Sequence, residues 1–540
     1  MADGYARASG KVGVAIATSG PGATNLVTGI ATAMLDSVPI VCITGQVPSH
    51  VIGTDAFQET DITGVTLPIT KHNYLVSRAD QIAPTIREAF YIARSGRPGP
   101  VLVDITKDAQ QRPAEVAWSE TPVSVSLRGY RPEHTAGDAD LARAVAMIDA
   151  AKRPVILAGH GIVKAGASAL LGELVERTGI PVAATLLGLG GFPASHPLAL
   201  GLMGMHGEAW VNHAIQEADL LLALGMRFDD RVTGNPATFA VAARKIHCEL
   251  DPAEINKNVR ADVALVGDVG DTLRALLPRV ARVEHRACAE RRACAERRAC
   301  AERRACAERR AWIDRIAELK GDSAVRDIQR MPHHGRLFAA HVLHDLWRIT
   351  EGKALVVTDV GQHQMWEAQY YKHDHPRKLV TSGGLGTMGF ALPAAIGARF
   401  ADPAAEIWVV AGDGGFQMTA CELSTAAQEG IKLCVAIINN GYLGMVRQWQ
   451  EFFYDGRYSA TPLRSPDFVK LAEAHGLTGL RVTRREEVEA AVQAARAAPG
   501  TVVIEFRVEQ EDAVYPMVPA GADLRDMIRR PSPIVETADD

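Results

Sequence analysis

The sequence lacks a long apolar run, a strong net charge and a cysteine pattern typical of disulfides. No apolar stretch approaches the roughly 20 residues of a membrane helix. The 58 basic and 63 acidic side chains leave a net charge of −5, which favours neither nucleic acid nor an anionic membrane. Cys42, Cys248, Cys421 and Cys434 lie in or beside apolar runs and are typical of small core residues. Since the first residues are not typical of a signal peptide, we expect a cytoplasmic protein without a disulfide framework.

The length and the overall composition indicate a globular protein with several domains. The chain has 540 residues, of which 47% are hydrophobic and 22% are charged. Because this is too long for one ordinary core, about three domains are expected.

The most informative segment lies between residues 407 and 440. Short apolar runs at 407–411 and 433–438 predict two buried strands, and the composition of 418–430 predicts a helix between them. Such a crossover makes the two strands parallel, and ligands of parallel sheets collect beyond the carboxyl ends of the strands. Asp413 and Asn440 follow these two ends, so we expect them side by side.

The residue types at these strand ends favour a metal-bound diphosphate. A carboxylate and an amide oxygen suit Mg²⁺, whose other ligands are commonly phosphate oxygens. Gly412, Gly414 and Gly415 would let a diphosphate approach the backbone. The alternative is a glycine-rich turn after a core strand, with the asparagines serving a second turn. The pair Asn439-Asn440 at the end of the next strand favours the metal interpretation.

The same strand–helix pattern recurs along the chain and predicts the domain organisation. The first part has predicted strands at 12–17, 39–44 and 101–104 and a helix at 23–35, and a middle part has strands at 154–158, 220–224 and 245–250. We therefore predict an α/β protein with three doubly wound parallel-sheet domains, the first of them incomplete. The predicted boundaries are 1–110, a linker 111–138, a central domain 139–283, a second linker 284–334 and a C-terminal domain 335–540.

Residues 286–309 are four tandem copies of Arg-Ala-Cys-Ala-Glu-Arg. Alanine, arginine and glutamate favour a helix, which we interpret as a solvated linker. Successive cysteines, at Cys288, Cys294, Cys300 and Cys306, are about 600° apart around such a helix, so they cannot converge on one ion. The glutamate in each repeat also argues against nucleic-acid binding.

The Gly-Asp-Gly and Asn-Asn pair resembles the signature of thiamine-diphosphate enzymes, and the wider match is to the acetohydroxyacid (acetolactate) synthase catalytic subunits. That resemblance covers nearly the whole chain except the repeats. The matching stretches are SGPGATN at 19–25, GTDAFQE at 53–59, RFDDRVTG at 227–234, GQHQMW at 361–366, SGGLGTMG at 382–389 and GMVRQWQ at 444–450.

The resemblance implies the roles of residues around the thiamine diphosphate. Asp413, Asn440 and the backbone carbonyl of Tyr442 would hold Mg²⁺. The residues implied to contact the cofactor are Gln362, His363 and Gly386, which would donate to the diphosphate, and Met388, which would support the bent cofactor from below. For Gln362 and His363 the alternative is an ordinary polar turn after a strand, and for Met388 it is simple packing.

The resemblance also implies an FAD site in the central domain, where FAD is largely structural. The glycines around His160 do not form the usual dinucleotide fingerprint, so the motif alone is weak. The implied FAD residues are Arg97, Gly159, His160, Gly161, Thr185, Leu186, Leu187, His206, Gly225, Arg227, Glu249, Leu250, Asp268 and Val269.

Four further residues are implied at the substrate entrance, namely Gln58, Lys71, Arg231 and Trp449. An arginine suits the carboxylate of a 2-keto acid, and an indole face would restrict the pocket for the second substrate. In isolation, a surface arginine and a core tryptophan are the alternatives.

The resemblance further implies a catalytic glutamate, which we expect upstream of Met1. We interpret the chain as an abbreviated form of the enzyme, the alternative being a truncated protein with poor turnover.

The implied activity is acetolactate synthesis, the decarboxylative condensation of pyruvate with pyruvate or 2-ketobutyrate. Its products would feed the biosynthesis of branched-chain amino acids. The implied assembly is a homodimer or tetramer, since the site lies between two subunits, with a small regulatory subunit as a further partner. The alternatives are another thiamine-dependent carboligase, such as glyoxylate carboligase, and a non-catalytic chain that binds the cofactors.

Overall fold

In a computed structural model, the chain forms three separate parallel β-sheets in the part that the structure describes, which confirms the predicted α/β architecture. That part comprises residues 1–115, 125, 127–282, 297–320 and 335–530, with 297–307 described as backbone only. None of the helices in these ranges combines the length and the apolar character needed to cross a bilayer.

The first sheet has four parallel strands. Its elements are α1 Ala2–Ser9, β1 Gly13–Ala17, α2 Pro21–Thr24, α3 Val27–Leu35, β2 Ile40–Gln46, α4 Ile62–Thr66, β3 His72–Val76, α5 Ala79–Arg94, β4 Val101–Thr106 and α6 Lys107–Gln111. The spatial order of the strands is β1-β2-β4-β3, so β1 lies at one edge. Apolar side chains on this edge strand are exposed, with Ile16 77% accessible.

The second sheet has six parallel strands and forms the central unit. Its elements are α7 Asp138–Ala150, β5 Pro154–Ala158, α8 His160–Lys164, α9 Ser168–Thr178, β6 Val182–Ala184, β7 Ala199–Leu202, α10 Ala209–Glu217, β8 Leu220–Leu224, α11 Asp230–Thr233, β9 Arg244–Glu249, β10 Val263–Val266 and α12 Val269–Leu276. The strand order is β10-β9-β8-β5-β6-β7. Both β5 and β8 are buried along their whole length, as expected for central strands covered on two faces.

The third sheet also has six parallel strands. After the helix α13 Arg297–Leu319, its elements are α14 Ala339–Thr350, β11 Leu355–Thr358, α15 Gln362–Tyr370, β12 Leu379–Val380, α16 Ala391–Ala401, β13 Ile407–Gly412, α17 Asp413–Thr419, α18 Leu423–Gln428, β14 Cys434–Asn439, α19 Gly444–Phe453, α20 Phe468–Ala474, β15 Thr478–Val482, α21 Val488–Ala497 and β16 Val502–Arg507. The strand order is β12-β11-β13-β14-β16-β15, which makes β13 and β14 neighbours.

Two predicted helices differ from the observed ones. The helix after β13 begins at Asp413 rather than at 418, because Gly412 is extended and leads directly into the first turn, and a 3₁₀ turn at Ala420–Glu422 divides it. The predicted helix 23–35 is also divided, into α2 and α3. The amide of Asn25 donates to the carbonyl oxygen of Pro21 at 2.7 Å, which competes with the regular helical bonds. Cys421 is exposed, so its predicted core position is wrong.

The predicted linker 284–334, with its solvated repeats at 286–309, is corrected from residue 309 onward, where α13 packs into the central unit. The helix itself is observed from Arg297, but Arg309, the last residue of the repeats, is buried and donates to the carbonyl oxygens of Thr178 and Ile148. Trp312 is also buried and donates from Nε1 to the Pro154 carbonyl at 3.1 Å. The end of α13 is therefore part of the central unit. Cys288 and Cys294 lie outside the described residues, and Cys300 and Cys306 lie where only backbone is described.

Helix α1 packs against α16 of the third sheet at backbone distance. A methyl group at Gly4 would overlap the carbonyl of Ala394, and one at Gly397 would overlap the carbonyl of Met1. Glycine at both positions is thus required by the close approach of the two helices. This contact fastens the first unit to the third.

We predict that Trp312→Ala destabilises the central unit by about 3–5 kcal/mol, because it removes a buried indole from the core. The measurement is the urea midpoint of unfolding, followed by circular dichroism. Asp314→Ala, on the exposed face of the same helix, is the matched control and should leave the midpoint unchanged. Equal midpoints for the two variants would contradict the docking of this helix.

Candidate functional site

Two adjoining cavities lie at the third unit, and the larger of them is enclosed by all three units. The larger has a volume of about 730 Å³ and the smaller about 60 Å³. Val360, Gly361 and Met445 line both, so the cavities share a wall beyond the end of β11. A cavity of 300–1,000 Å³ is the usual size for a small-molecule or cofactor site.

The smaller cavity is built on the carboxyl ends of β13 and β14. The parallel register pairs Gly412 with Ile438, so the residues that follow these ends, Asp413 and Asn440, line one cavity. Ser465 donates to a carboxylate oxygen of Asp413 at 2.7 Å, and burial raises the pKa of Asp413 to about 6. The side-chain oxygen of Asn440 accepts from the backbone N–H of Tyr442 at 3.1 Å.

The two polar residues at the start of α15 have different hydrogen-bonding states. The amide nitrogen of Gln362 already donates to Gln448 at 2.9 Å and to the Asp512 carbonyl at 3.2 Å, while its oxygen accepts from Asn440 at 3.1 Å. The side chain of Gln362 therefore orients Asn440, and both protons of its amide already have acceptors. Among the described residues, the Nε2 atom of His363 is buried without a hydrogen-bond partner. Burial lowers the pKa of His363 to about 3, so the ring is neutral.

Small residues keep the smaller cavity open. A methyl group at Gly414 would lie 2.8 Å from Leu443 and 4.0 Å from Met388, and one at Gly415 would lie 2.8 Å from Asp359. Met388 lines this cavity, whereas Gly386, with φ +71°, lines the larger one.

Asp359, which was not predicted, lines neither cavity but binds the backbone next to Met388, which lines the smaller one. It follows β11, and its carboxylate accepts from the backbone N–H of Gly389 at 2.9 Å. Burial raises its pKa to about 6. Its position directly after an apolar strand was the available sequence signal, of the same kind that identified Asp413.

These observations fit a magnesium diphosphate in the smaller cavity. The described residues include no cluster of three or more histidine, cysteine or acidic side chains around a metal. A site with one carboxylate, one amide and one backbone carbonyl does not require such a cluster, because phosphate oxygens complete the Mg²⁺ shell. The unpartnered nitrogen of His363 supplies a neutral donor or acceptor at the same cavity.

The larger cavity collects nearly all of the residues predicted for FAD. Those on its lining are Arg97, His160, Gly161, Thr185, Leu186, Leu187, His206, Gly225, Arg227, Glu249, Leu250, Asp268 and Val269. Gly159 is absent from this lining and lies behind it, where a methyl group would overlap the carbonyl of Gly225. Most of these residues follow strands of the central sheet, at the edge where doubly wound folds bind dinucleotides.

The wall of the larger cavity combines charges of both signs. Arg97 donates to Glu254 at 2.8 Å and to Asp251 at 3.2 Å. Glu249 accepts from the backbone N–H of Leu250 at 2.9 Å, and burial raises its pKa. Acidic groups suit ribose hydroxyls and basic groups suit phosphates, so the wall fits a dinucleotide.

Lys164, which was not predicted, also lines the larger cavity. It lies at the end of α8, deep in the wall but partly accessible from the cavity. Burial lowers its pKa to about 7, and the positive charges of Arg7 and Arg377 add to this shift. A lone lysine on an amphipathic segment gave no sequence signal for such a position.

The four predicted substrate residues divide into two pairs. Arg231 and Trp449 both line the larger cavity. Gln58 and Lys71 line neither cavity. Gln58 is exposed on the first unit. The ammonium of Lys71 donates to the carbonyl oxygens of Ile92 and Ser95 at 2.5 and 2.7 Å. Within one chain, Gln58 and Lys71 therefore do not lie at the cavity that Arg231 and Trp449 line.

The chain matches the profiles of three domains of thiamine pyrophosphate enzymes. The N-terminal TPP binding domain matches residues 1–65, the central domain 141–276 and the C-terminal TPP binding domain 359–506. Together with the three parallel sheets and the strand-end cavity, these matches define the class of thiamine pyrophosphate enzymes.

Curated relatives specify the family within that class. An acetolactate synthase of Mycobacterium bovis is 48% identical over 527 residues, covering 96% of this chain and 81% of the relative. An acetolactate synthase large subunit of Corynebacterium glutamicum is 48% identical, covering 97% and 81%, and a probable large subunit of Methanocaldococcus jannaschii is 43% identical, covering 98% and 86%. The chain belongs to the acetolactate synthase large-subunit family.

We predict that Lys164 makes stability depend on pH in the alkaline range. Its pKa is about 7 when folded and near 10.5 when unfolded, so only the unfolded chain holds this proton between those values. Stability should therefore rise from pH 7 to pH 10. The contribution is on the order of 2 kcal/mol, since water in the cavity screens the charge.

Denaturant unfolding of Lys164→Met at both pH values measures this contribution. The variant should lose that part of the rise, whereas Lys152→Met, at an exposed lysine, should keep the parental pH dependence. Identical pH profiles for Lys164→Met and the parent would contradict the prediction.

Proposed function

We propose that the chain is the catalytic subunit of an acetolactate synthase, which condenses pyruvate with pyruvate or 2-ketobutyrate and releases CO₂. The observation that supports this most directly is the pair of strand-end residues Asp413 and Asn440 on a small cavity that adjoins a dinucleotide-sized one. Family membership supports the same reaction. The proposed cofactors are thiamine diphosphate, Mg²⁺ and FAD.

In this proposal the smaller cavity holds the magnesium diphosphate. Asp413, the side-chain oxygen of Asn440 and the backbone carbonyl of Tyr442 hold the metal. His363 hydrogen-bonds to the diphosphate through its free nitrogen, and Gln362 acts by fixing the orientation of Asn440. When bound, thiamine diphosphate supplies the carbon nucleophile that makes decarboxylation of a 2-keto acid possible.

In addition, the backbone N–H of Gly386 donates to the diphosphate. Met388 supports the bent thiamine diphosphate from below. The larger cavity takes FAD through the lining residues given above, and the amine of Lys164 is a further hydrogen-bond donor for an anionic part of that ligand.

Arg231 and Trp449 are proposed to receive the 2-keto acids at the larger cavity. The guanidinium neutralises a substrate carboxylate, and the indole restricts the space available to the second acid. Both residues belong to the side of the site that the central and third units supply.

We further propose that Gln58 and Lys71 complete the site from a second copy of the chain. Exposed apolar side chains on the first unit, among them Ile16 at 77%, Phe57 at 89% and Leu67 at 68% accessible, favour a partner there. A homodimer or a tetramer of such dimers, a small regulatory subunit and a cytoplasmic location belong to the same proposal. The domain boundaries predicted from sequence remain proposals.

The test is turnover with the three cofactors present, using pyruvate, pyruvate with 2-ketobutyrate, and glyoxylate as substrates. Acetolactate formation is expected, and turnover of glyoxylate alone would favour the rival carboligase. Binding of both organic cofactors without any acetolactate would favour a non-catalytic cofactor-binding chain.

We predict that Asp413→Asn weakens Mg²⁺-dependent binding of thiamine diphosphate at least about hundredfold, because the neutral amide replaces the carboxylate ligand. Isothermal titration calorimetry measures the affinity. Asp455→Asn, on an exposed turn, is the control and should bind like the parent. Parental affinity in Asp413→Asn would contradict the proposed metal site.

We predict that Trp449→Leu lowers the preference for 2-ketobutyrate over pyruvate as second substrate by about 5- to 150-fold, since it removes a shape contact on the order of 1–3 kcal/mol. The ratio of 2-aceto-2-hydroxybutyrate to 2-acetolactate in mixed-substrate reactions measures this preference. Phe453→Leu, at the ring 5.1 Å from Trp449 and outside the cavity lining, is the control. A product ratio that stays at the parental value would contradict this role.

A further inference from the structure

Asp36 is a buried carboxylate of the first unit that binds the backbone of the third. It follows α3, and its side chain is fully buried. One oxygen accepts from Gly384 N–H at 2.6 Å, and the other accepts from Gly383 N–H at 3.1 Å and from the Arg7 guanidinium at 2.8 Å. Consecutive glycine N–H groups are a common cradle for an anion, and here a side chain of the same chain occupies it.

The same helix holds the other end of that glycine-rich segment. The hydroxyl of Thr32, one turn earlier in α3, lies 2.7 Å from the hydroxyl of Thr387. The segment 382–389, which we call the glycine loop, is thus attached at both ends to α3. Arg7 adds a third attachment, because it also donates to the carbonyl oxygen of Thr381 at 2.8 Å.

The glycine loop forms part of the wall of both cavities. Its residues Gly383 to Gly386 line the larger cavity, and Met388 lines the smaller one. The fit around Asp36 is close, since a methyl group at Gly384 would lie 2.8 Å from the Asp36 carboxylate and 3.1 Å from the Arg227 guanidinium. A shift of Asp36 would therefore move the wall that both cofactors are proposed to touch.

We propose that Asp36 is a positioning residue, which together with Thr32 holds the glycine loop in the conformation that binds thiamine diphosphate. This inference rests on the proposed function of the smaller cavity. A carboxylate is required because three N–H donors converge on its two oxygens. An asparagine would instead turn its own amide N–H toward at least one of these donors. The loop has no regular secondary structure of its own, so its shape depends on such attachments.

The test compares Asp36→Asn, Thr32→Val and a control, Asp345→Asn, in the full chain. Asp345 is also a buried carboxylate paired with an arginine, Arg485 at 3.2 Å, but it lies on α14 away from both cavities. Two quantities are measured, namely the Kd of thiamine diphosphate with Mg²⁺ and the amide hydrogen exchange of the peptide covering 382–389 without cofactor.

We expect Asp36→Asn to raise the Kd about ten- to hundredfold and to speed exchange in this peptide. Thr32→Val should act in the same direction by a smaller factor, about three- to tenfold, because it removes a single neutral contact to the loop. Asp345→Asn should lower the melting temperature and leave both quantities unchanged. If Asp36→Asn does not fold, Thr32→Val alone decides, since it leaves the charge pair intact.

Parental exchange and Kd in a folded Asp36→Asn variant would overturn the proposal, and so would equal effects of the control. If the parent itself does not bind thiamine diphosphate, the proposed function fails instead. The exchange experiment then still decides whether Asp36 holds the loop.

Discussion

The site depends on the parallel pairing of β13 and β14. Because both strands are buried and run in the same direction, the residues that follow them meet at one edge of the sheet. Asp413 and Asn440 reach the same cavity only through this pairing, although 26 residues separate them in sequence. The proposed metal ligands are arranged around that pair.

A chain of buried amides makes the arrangement rigid. Asn440 bonds to Gln362, Gln362 bonds to Gln448, and Gln448 accepts from the backbone N–H of Val514 at 2.8 Å. Each member satisfies its neighbour, so rotation of one amide would leave a buried polar group unpaired at a cost of about 1–3 kcal/mol. Gln362, which the resemblance implies as a cofactor contact, lines the smaller cavity and also holds Asn440.

The sequence was sufficient for the sheets and for the position of the site, because buried parallel strands are continuous apolar runs and their ends are easily located. It was insufficient for contacts that depend on distant parts of the chain. Arg309 belongs to a highly charged repeat, and only the carbonyl oxygens of Ile148 and Thr178 explain its burial. Likewise, an aspartate after a helix, such as Asp36, is typical of a surface position.

Lys164 illustrates the same limit, since its role follows from a cavity that three separate units enclose. Most of the residues that the family resemblance implies for FAD line the larger cavity, and they stay predictions. Composition and periodicity alone would have identified only the strand ends from which several of them project.

The contact between α1 and α16 bears on the order in which the chain assembles during translation. Helix α1 is synthesised well before its docking surface, which begins at Ala391. At synthesis rates of about 5–20 residues per second, α1 waits on the order of tens of seconds for that surface. In the meantime the face of α1 that packs on α16 stays exposed. A chaperone that binds such nascent segments would therefore act mainly on this unit, before the last third of the chain is made.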